Sequence, residues 1–262
     1  MKLPGGVWRN GCLHRDIIFR PVDGHLEMAV AEAAGTLRDL PGRVSEALQA
    51  ALVLVGSEAP DREQIDDLSV GDRQFLVSRL TRHLGMESVW LSATCCHCHG
   101  QFDFPLDYGA IPAKPAGEGY PFAEIMLSMG QVQVRVPTGA DQSAILSCPD
   151  EHRARRELAR RCIVGVSDAL TDDDVTLIET ALEDLAPELA TSVAATCPEC
   201  GGENQLEIDP YLFLGQVGNE LFGEIHHLAA HYHWSESEIL GLPRWRRKKY
   251  LGLIDRARGM TT

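Results

Sequence analysis

The chain has 262 residues, 44% of them hydrophobic, and a formal net charge of -14. That length and apolar content suffice for a buried core in one elaborated domain or two small ones. The acidic balance argues against general binding to nucleic acid or anionic membranes unless a local basic patch overcomes it.

No apolar run approaches the length of a membrane span, and Met1-Lys2-Leu3-Pro4-Gly5-Gly6 lacks the apolar stretch of a signal peptide. The expectation is a soluble protein of a bacterial-type cytosol. In chain order, 15–20 and 25–30 flank Val22-Asp23-Gly24 and read as a β-hairpin. Val44, Leu48, Leu52 and Val55 then repeat at helical spacing until Pro60, and Ser69-Val70-Gly71-Asp72 resembles a capping box opening a second helix through Phe75, Leu76, Val77 and Leu80.

That helix leads to Thr94-Cys95-Cys96-His97-Cys98-His99-Gly100, a pattern that returns as Thr196-Cys197-Pro198-Glu199-Cys200-Gly201-Gly202. At the same offset Ala93 matches Ala195, Phe104 matches Leu206, Leu106 matches Ile208 and Asp107 matches Asp209. Strand-like residues precede each copy, at 88–92 and 191–194, and follow it, so each half reads as a knuckle on a hairpin. Two Cys-x-x-Cys turns supply four thiolates for one tetrahedral ion, with a glycine after each to let the chain bend back. Cys95, Cys98, Cys197 and Cys200 are the ligand set that the matching implies. Cys96 with His99 is an alternative to Cys95 with Cys98 in the first knuckle. A redox pair would instead need a helix start in a βαβ unit, and the other cysteines, Cys12, Cys96, Cys148 and Cys162, show no disulfide framework spacing.

Between the knuckles, Pro and Gly density from Pro105 to Pro121 indicates a loop, and 123–127 and 132–136 read as paired strands. The pattern is helical from Thr138 to Ala190, with one helix over 150–162 and another capped by Thr171 and running to Pro187. The aspartates at 172, 173 and 174 suit the first turn of that helix, and Arg153, Arg155, Arg156, Arg160 and Arg161 suit a solvated face. After the second knuckle a long helix is expected over 211–232, with Leu221, Ile225, Leu228 and Tyr232 on one stripe. Ser235 and Glu238 box a one-turn helix ending at Gly241, and Pro243 opens a third helix through Ile254.

The fold class is therefore α+β: split zinc-ribbon-like β hairpins with an inserted helical segment and a C-terminal three-helix module. The corresponding segments are 1–67, 68–137, 138–190, 191–209 and 210–262. Four cysteines close the zinc shell, so the metal is structural and no position is open for substrate. Glu224, His227 and His231 share a helix face, but no second Glu-x-x-His pattern accompanies them. No nucleophile elbow, P-loop or dinucleotide fingerprint occurs, and the expectation is a non-enzymatic protein with no small-molecule substrate.

Several segments together resemble the bacteriophage T4-type baseplate protein family. They are Leu68-Ser69-Val70-Gly71-Asp72-Arg73-Gln74-Phe75-Leu76, Val134-Arg135-Val136-Pro137-Thr138-Gly139-Ala140-Asp141, the second knuckle, and the stretches 224–236 and 238–251. The resemblance covers the chain from about Ser69 onward. It implies a non-enzymatic component or assembly factor of the baseplate hub in a contractile tail or related injection system, cytoplasmic during assembly, with other baseplate, hub or spike proteins as partners. The first knuckle departs from the family's pattern at Cys95-Cys96-His97-Cys98.

The C-terminal module is the expected docking element. Trp234, Leu240, Leu242, Trp245 and Tyr250 are candidate apolar anchors, and Arg244, Arg246, Arg247 and Lys248 supply charge. Trp245 is the best of these, since Trp234 and Tyr250 also suit closure of the local core. The rival reading is a zinc-ribbon nucleic-acid-binding protein, with Arg244, Arg246, Arg247, Lys248 and Lys249 on a phosphate-contacting helix.

Overall fold

The computed structural model describes residues 1–36, 39–165, 170–215, 218–257 and 259. The chain is α+β, with small antiparallel sheets set among helices.

Asn10 and Gly11 both take positive φ, 49° and 74°, the geometry of a two-residue type I′ turn. They join β1 (Lys2–Arg9) to β2 (Cys12–Phe19), and β3 (Leu52–Val55) adds to the other edge of β2. The hairpin thus lies earlier than the sequence suggested. The expected second arm at 25–30 belongs to α1 (Gly24–Thr36), because Asp23 accepts a hydrogen bond from the Leu26 N–H at 2.9 Å and so opens a helix rather than a turn. Helix α2 (Leu40–Ala51) starts on Asp39, which accepts from the Gly42 N–H at 2.7 Å. It stops four residues short of Val55, since Leu52–Val55 forms β3.

After α3 (Arg62–Asp66), helix α4 (Val70–His83) begins at Ser69, whose hydroxyl accepts from the Asp72 N–H. Only this half of the expected capping box forms. The Asp72 carboxylate instead accepts the N–H groups of Gly5 and Gly6 at 2.9 Å each, with the Ser69 and Tyr120 hydroxyls as further donors. Burial pushes the Asp72 carboxyl up, and those donors work against that shift. The neighbouring Arg73 is fully buried and donates to Ile65 O, Pro41 O and Ser45 Oγ. The start of α4 thereby ties β1 to the α2–α3 corner.

Two hairpins follow, β4 (Ser88–Thr94) with β5 (Gln101–Asp107) and β7 (Phe122–Leu127) with β8 (Gly130–Arg135). Between them, within the expected loop, β6 (Ala113–Lys114) pairs with β9 (Glu188–Leu189). Helices α5 (Gly139–Ile145), α6 (Glu151–Cys162) and α7 (Asp172–Leu185) form the insertion. Asp141 organises it: fully buried, it accepts from Thr138 N, from Arg135 on β8 at 2.6 and 3.1 Å, and from Arg161 on α6 at 2.9 Å. Burial opposes ionisation of this carboxyl, but the Arg135 hydrogen bonds and the other donors outweigh it and hold the carboxyl below its ordinary range. Arg155, Arg156 and Arg160 are paired to Glu179, Asp172 and Glu157, so much of the expected solvated face is tied down, partly to α7.

The second knuckle hairpin is β10 (Ser192–Thr196) with β11 (Glu203–Glu207). The single helix expected over 211–232 is divided. A 3-10 turn covers Leu212–Gly215 and α8 runs from Asn219 to Tyr232, with 216 and 217 outside the described residues. The short helix α9 (Glu236–Leu240) carries the Ser235/Glu238 capping box, and α10 (Arg244–Ala257) follows.

The largest core joins the three-stranded sheet, α1, α2 and α4, and it includes Leu106, Leu189 and Ile208 at the bases of the two knuckle hairpins. A second cluster packs β7–β8 against α6 and α7 through Leu127, Val134, Cys162, Val175 and Ile178. A third joins Met28 of α1 to Leu221, Ile225, Leu228, Ile239 and Ile254 of the last three helices.

Gly71 packs so closely under the chain between α7 and β9 that an added Cβ would sit 1.8 Å from Pro187 O. Gly71→Ala is expected to destabilise the protein by about 3 kcal/mol, read as a lowered urea midpoint at unchanged slope.

Candidate metal centre

The two knuckles repeat one backbone pattern. In the first, Cys95 N donates to Gly100 O and His99 N to Cys95 O; in the second, Cys197 N donates to Gly202 O and Gly201 N to Cys197 O. The left-handed bend falls one residue before the shared glycine, at His99 (φ 61°) and Gly201 (φ 72°). His99 is therefore a turn residue. Gly202 serves a different purpose, because the His97 ring lies over it and an added Cβ would meet that ring at 2.3 Å.

Four sulfurs converge. Cys95, Cys98, Cys197 and Cys200 place their Sγ atoms within 4.8 Å of one another, with Cys95 to Cys200 at 3.6 Å and Cys98 to Cys197 at 3.8 Å. A tetrahedral site with metal–sulfur bonds of about 2.3 Å has sulfur edges of about 3.8 Å, so the set fits a metal ion of that size. The contacts are far too long for disulfides, and all eight cysteines are free. The structure chooses Cys95 and Cys98 over Cys96 and His99, and the Cys96 side chain is exposed.

The surroundings act unequally on the sulfurs, lowering the Cys95 thiol and raising those of Cys98 and Cys200. The Cys98 N–H first, then the His97 N–H and the Asn204 amide, pull the Cys95 thiol down to about 6 despite its burial. At Cys200 the Gly202 N–H favours the thiolate, but burial and the three neighbouring sulfurs push the thiol up to about 12. Four adjacent thiolates need a cation among them. Asn204, itself buried, links the halves by accepting from Cys96 N at 2.8 Å while donating to Gly202 O at 2.9 Å. His97 adds a contact to Glu203 O, and beneath the sulfurs Phe102 and Phe104 pack with Leu91, Ala93, Val193, Ala195 and Leu206.

The other sequence candidates separate by burial. Glu224 is buried in ion pairs to Arg247 and Lys248, while His227 and His231 are exposed, so those three do not assemble as a site. Arg247, expected as a surface cation, is fully buried. It donates to Glu224 Oε2 at 2.8 Å and Glu27 Oε2 at 2.6 Å, clamping α10 to α8 and α1. Leu240 is buried in the third cluster, and Leu242 is half-buried. Trp234 stacks on Tyr232 at 4.7 Å and meets the Tyr250 ring edge-on at 5.0 Å, so Trp234 and Tyr250 close the local core. Arg244 and Lys248 reach Glu220. Trp245 remains 70% exposed, beside Arg246.

Sequence reasoning missed Asn204, whose signal was a lone amide two residues past Gly202, and Glu27, which lies 220 residues from its partner Arg247. Among the described helices none is long and apolar enough to cross a membrane. The chain matches no protein-family model, no curated protein and no solved structure.

Cys197→Ser and Cys200→Ser are each expected to abolish stoichiometric metal retention after dialysis. Hydrogen exchange should then accelerate across β4, β5, β10 and β11, with less effect on β1–β3. Undiminished metal content in both variants would contradict this ligand set.

Proposed function

We propose that the chain is a non-enzymatic component or assembly factor of the baseplate hub of a contractile tail or related injection system, built around a structural zinc. Zinc is the ion that four thiolates in a tetrahedral arrangement suit best. A shell closed by four protein sulfurs leaves no position for water or substrate, which supports a role for the metal in architecture rather than catalysis. The tail assignment rests on the resemblance of the segments from Ser69 onward.

The observation that carries a docking role is the outer face of α10. Trp245 is 70% exposed, and Arg246 and Lys249 have no ion-pair partner among the described residues. Helical spacing adds Leu253 and Arg256 to the same arc, opposite the buried Arg247 and Ile254. An aromatic anchor ringed by free cations suits an acidic patch on a neighbouring subunit. The nucleic-acid alternative loses support, because Arg247 is internal and Arg244 and Lys248 are already paired.

The test is a Trp245→Ala, Arg246→Glu double variant co-expressed with the tail genes of its own locus. Metal content and melting temperature should match the parent while co-purification with tail subunits and particle assembly fall. Normal assembly would contradict the docking role.

A further inference from the structure

The register of the knuckle hairpins shows which strand edges are open. Cys197 N bonds Gly202 O and Ile208 N bonds Thr191 O, so the hydrogen-bonded pairs of the second hairpin are Val193 with Leu206 and Ala195 with Asn204. Ser192, Ala194 and Thr196 therefore turn their N–H and C=O groups away from β11. Among the described residues nothing bonds to those groups of Ala194 or Thr196. By the same phase, Gln101, Asp103, Pro105 and Asp107 turn outward on β5.

These two edges flank one groove of 450 Å³. Its lining includes Asp103 to Asp107 without a gap and Val193 to Thr196 without a gap. Consecutive residues line a groove only where it follows a strand edge, since a face would show alternate ones. The groove opens where a pairing ends: Ala113 pairs with Leu189 and Ala190 N reaches Pro112 O, after which the two stretches diverge into β5 and β10.

The edges differ in how they resist a further strand. On β5, Pro105 has no N–H to offer and Asp103 and Asp107 carry charge, the usual guards against strand addition. On β10 the residues are Ser192, Val193, Ala194, Ala195 and Thr196, without proline or charge. An unguarded edge with unpaired backbone groups, bordering a groove, is a template for an added strand. The lining holds two exposed carboxylates, Asp103 and Asp107, and no cation, while Ile111 and Leu106 give it an apolar floor.

We infer that β10 receives an extended segment of a partner polypeptide, one that alternates apolar and basic residues, as an added strand in this groove. The backbone groups of Ala194 and Thr196 pair with it, its apolar residues face Ile111 and Leu106, and its cations lie near Asp103 and Asp107. This site is separate from the α10 face and does not depend on the tail assignment.

The probe is a fluorescein-labelled synthetic peptide alternating valine and lysine, titrated into the metal-loaded full chain and read by polarisation. A second peptide of the same sequence carries N-methyl groups on alternate backbone nitrogens. Ala194→Pro removes one outward N–H at a position that donates nothing to β11, so metal content and melting temperature should hold. Saturable binding should weaken about tenfold in Ala194→Pro, as for loss of a backbone hydrogen bond with its local geometry. N-methylation of the pairing edge should weaken binding to the parent chain similarly, which keeps the test open if the proline variant misfolds. Equal binding of the two peptides, equal binding by a folded Ala194→Pro chain, no saturable binding, or tighter binding of a glutamate–valine peptide would each overturn the proposal.

Discussion

The bringing together of Cys95 and Cys98 with Cys197 and Cys200 is the constraint on which the rest of the architecture turns. The two cross-knuckle sulfur contacts span 105 and 99 residues of chain. A metal held by all four sulfurs would cross-link a loop of that length and remove unfolded-state entropy worth about 4–5 kcal/mol in the chain-entropy model. Everything between the knuckles must leave the first hairpin, fold, and return in register with the second. The short β6–β9 pairing does this locally by joining the outgoing and returning stretches just below the knuckles.

Buried charges hold the places where the helical parts meet that frame. Asp72 and Arg73, adjacent in sequence, face opposite ways from the start of α4, one toward β1 and the other toward α2 and α3. Asp141 joins β8 to α5 and α6, and Arg247 joins α10 to α8 and α1. Removing one partner from such a cluster costs more than the pair contributes, because a charge is then left buried without compensation. Asp72 with Arg73, Arg135 with Asp141, and Glu224 with Arg247 are the residues of these clusters. Their residue types follow from what each must bond inside this fold.

Local signals in the sequence were legible and long-range ones were not. The knuckles could be read because each is a self-contained turn whose bonds close within six residues, and the match of the two copies selected Cys95 and Cys98. Caps at Ser69, Thr171 and Ser235 placed three helix starts for the same reason. The N-terminal hairpin was misplaced because Asp23-Gly24 looks like a turn in isolation, although Asp23 caps α1 and Asn10-Gly11 makes the turn. Val55 fitted a helical repeat, yet strand pairing with Ile17 decides its conformation. Arg247 could not be separated from the basic residues around it, since the carboxylates that bury it come from α1 and α8.

The most direct test of the metal centre is X-ray absorption at the zinc edge on protein purified without chelators. The expected result is one zinc per chain surrounded by four sulfurs at about 2.3 Å. A nitrogen- or oxygen-containing shell, or folded protein that takes up no zinc, would contradict it.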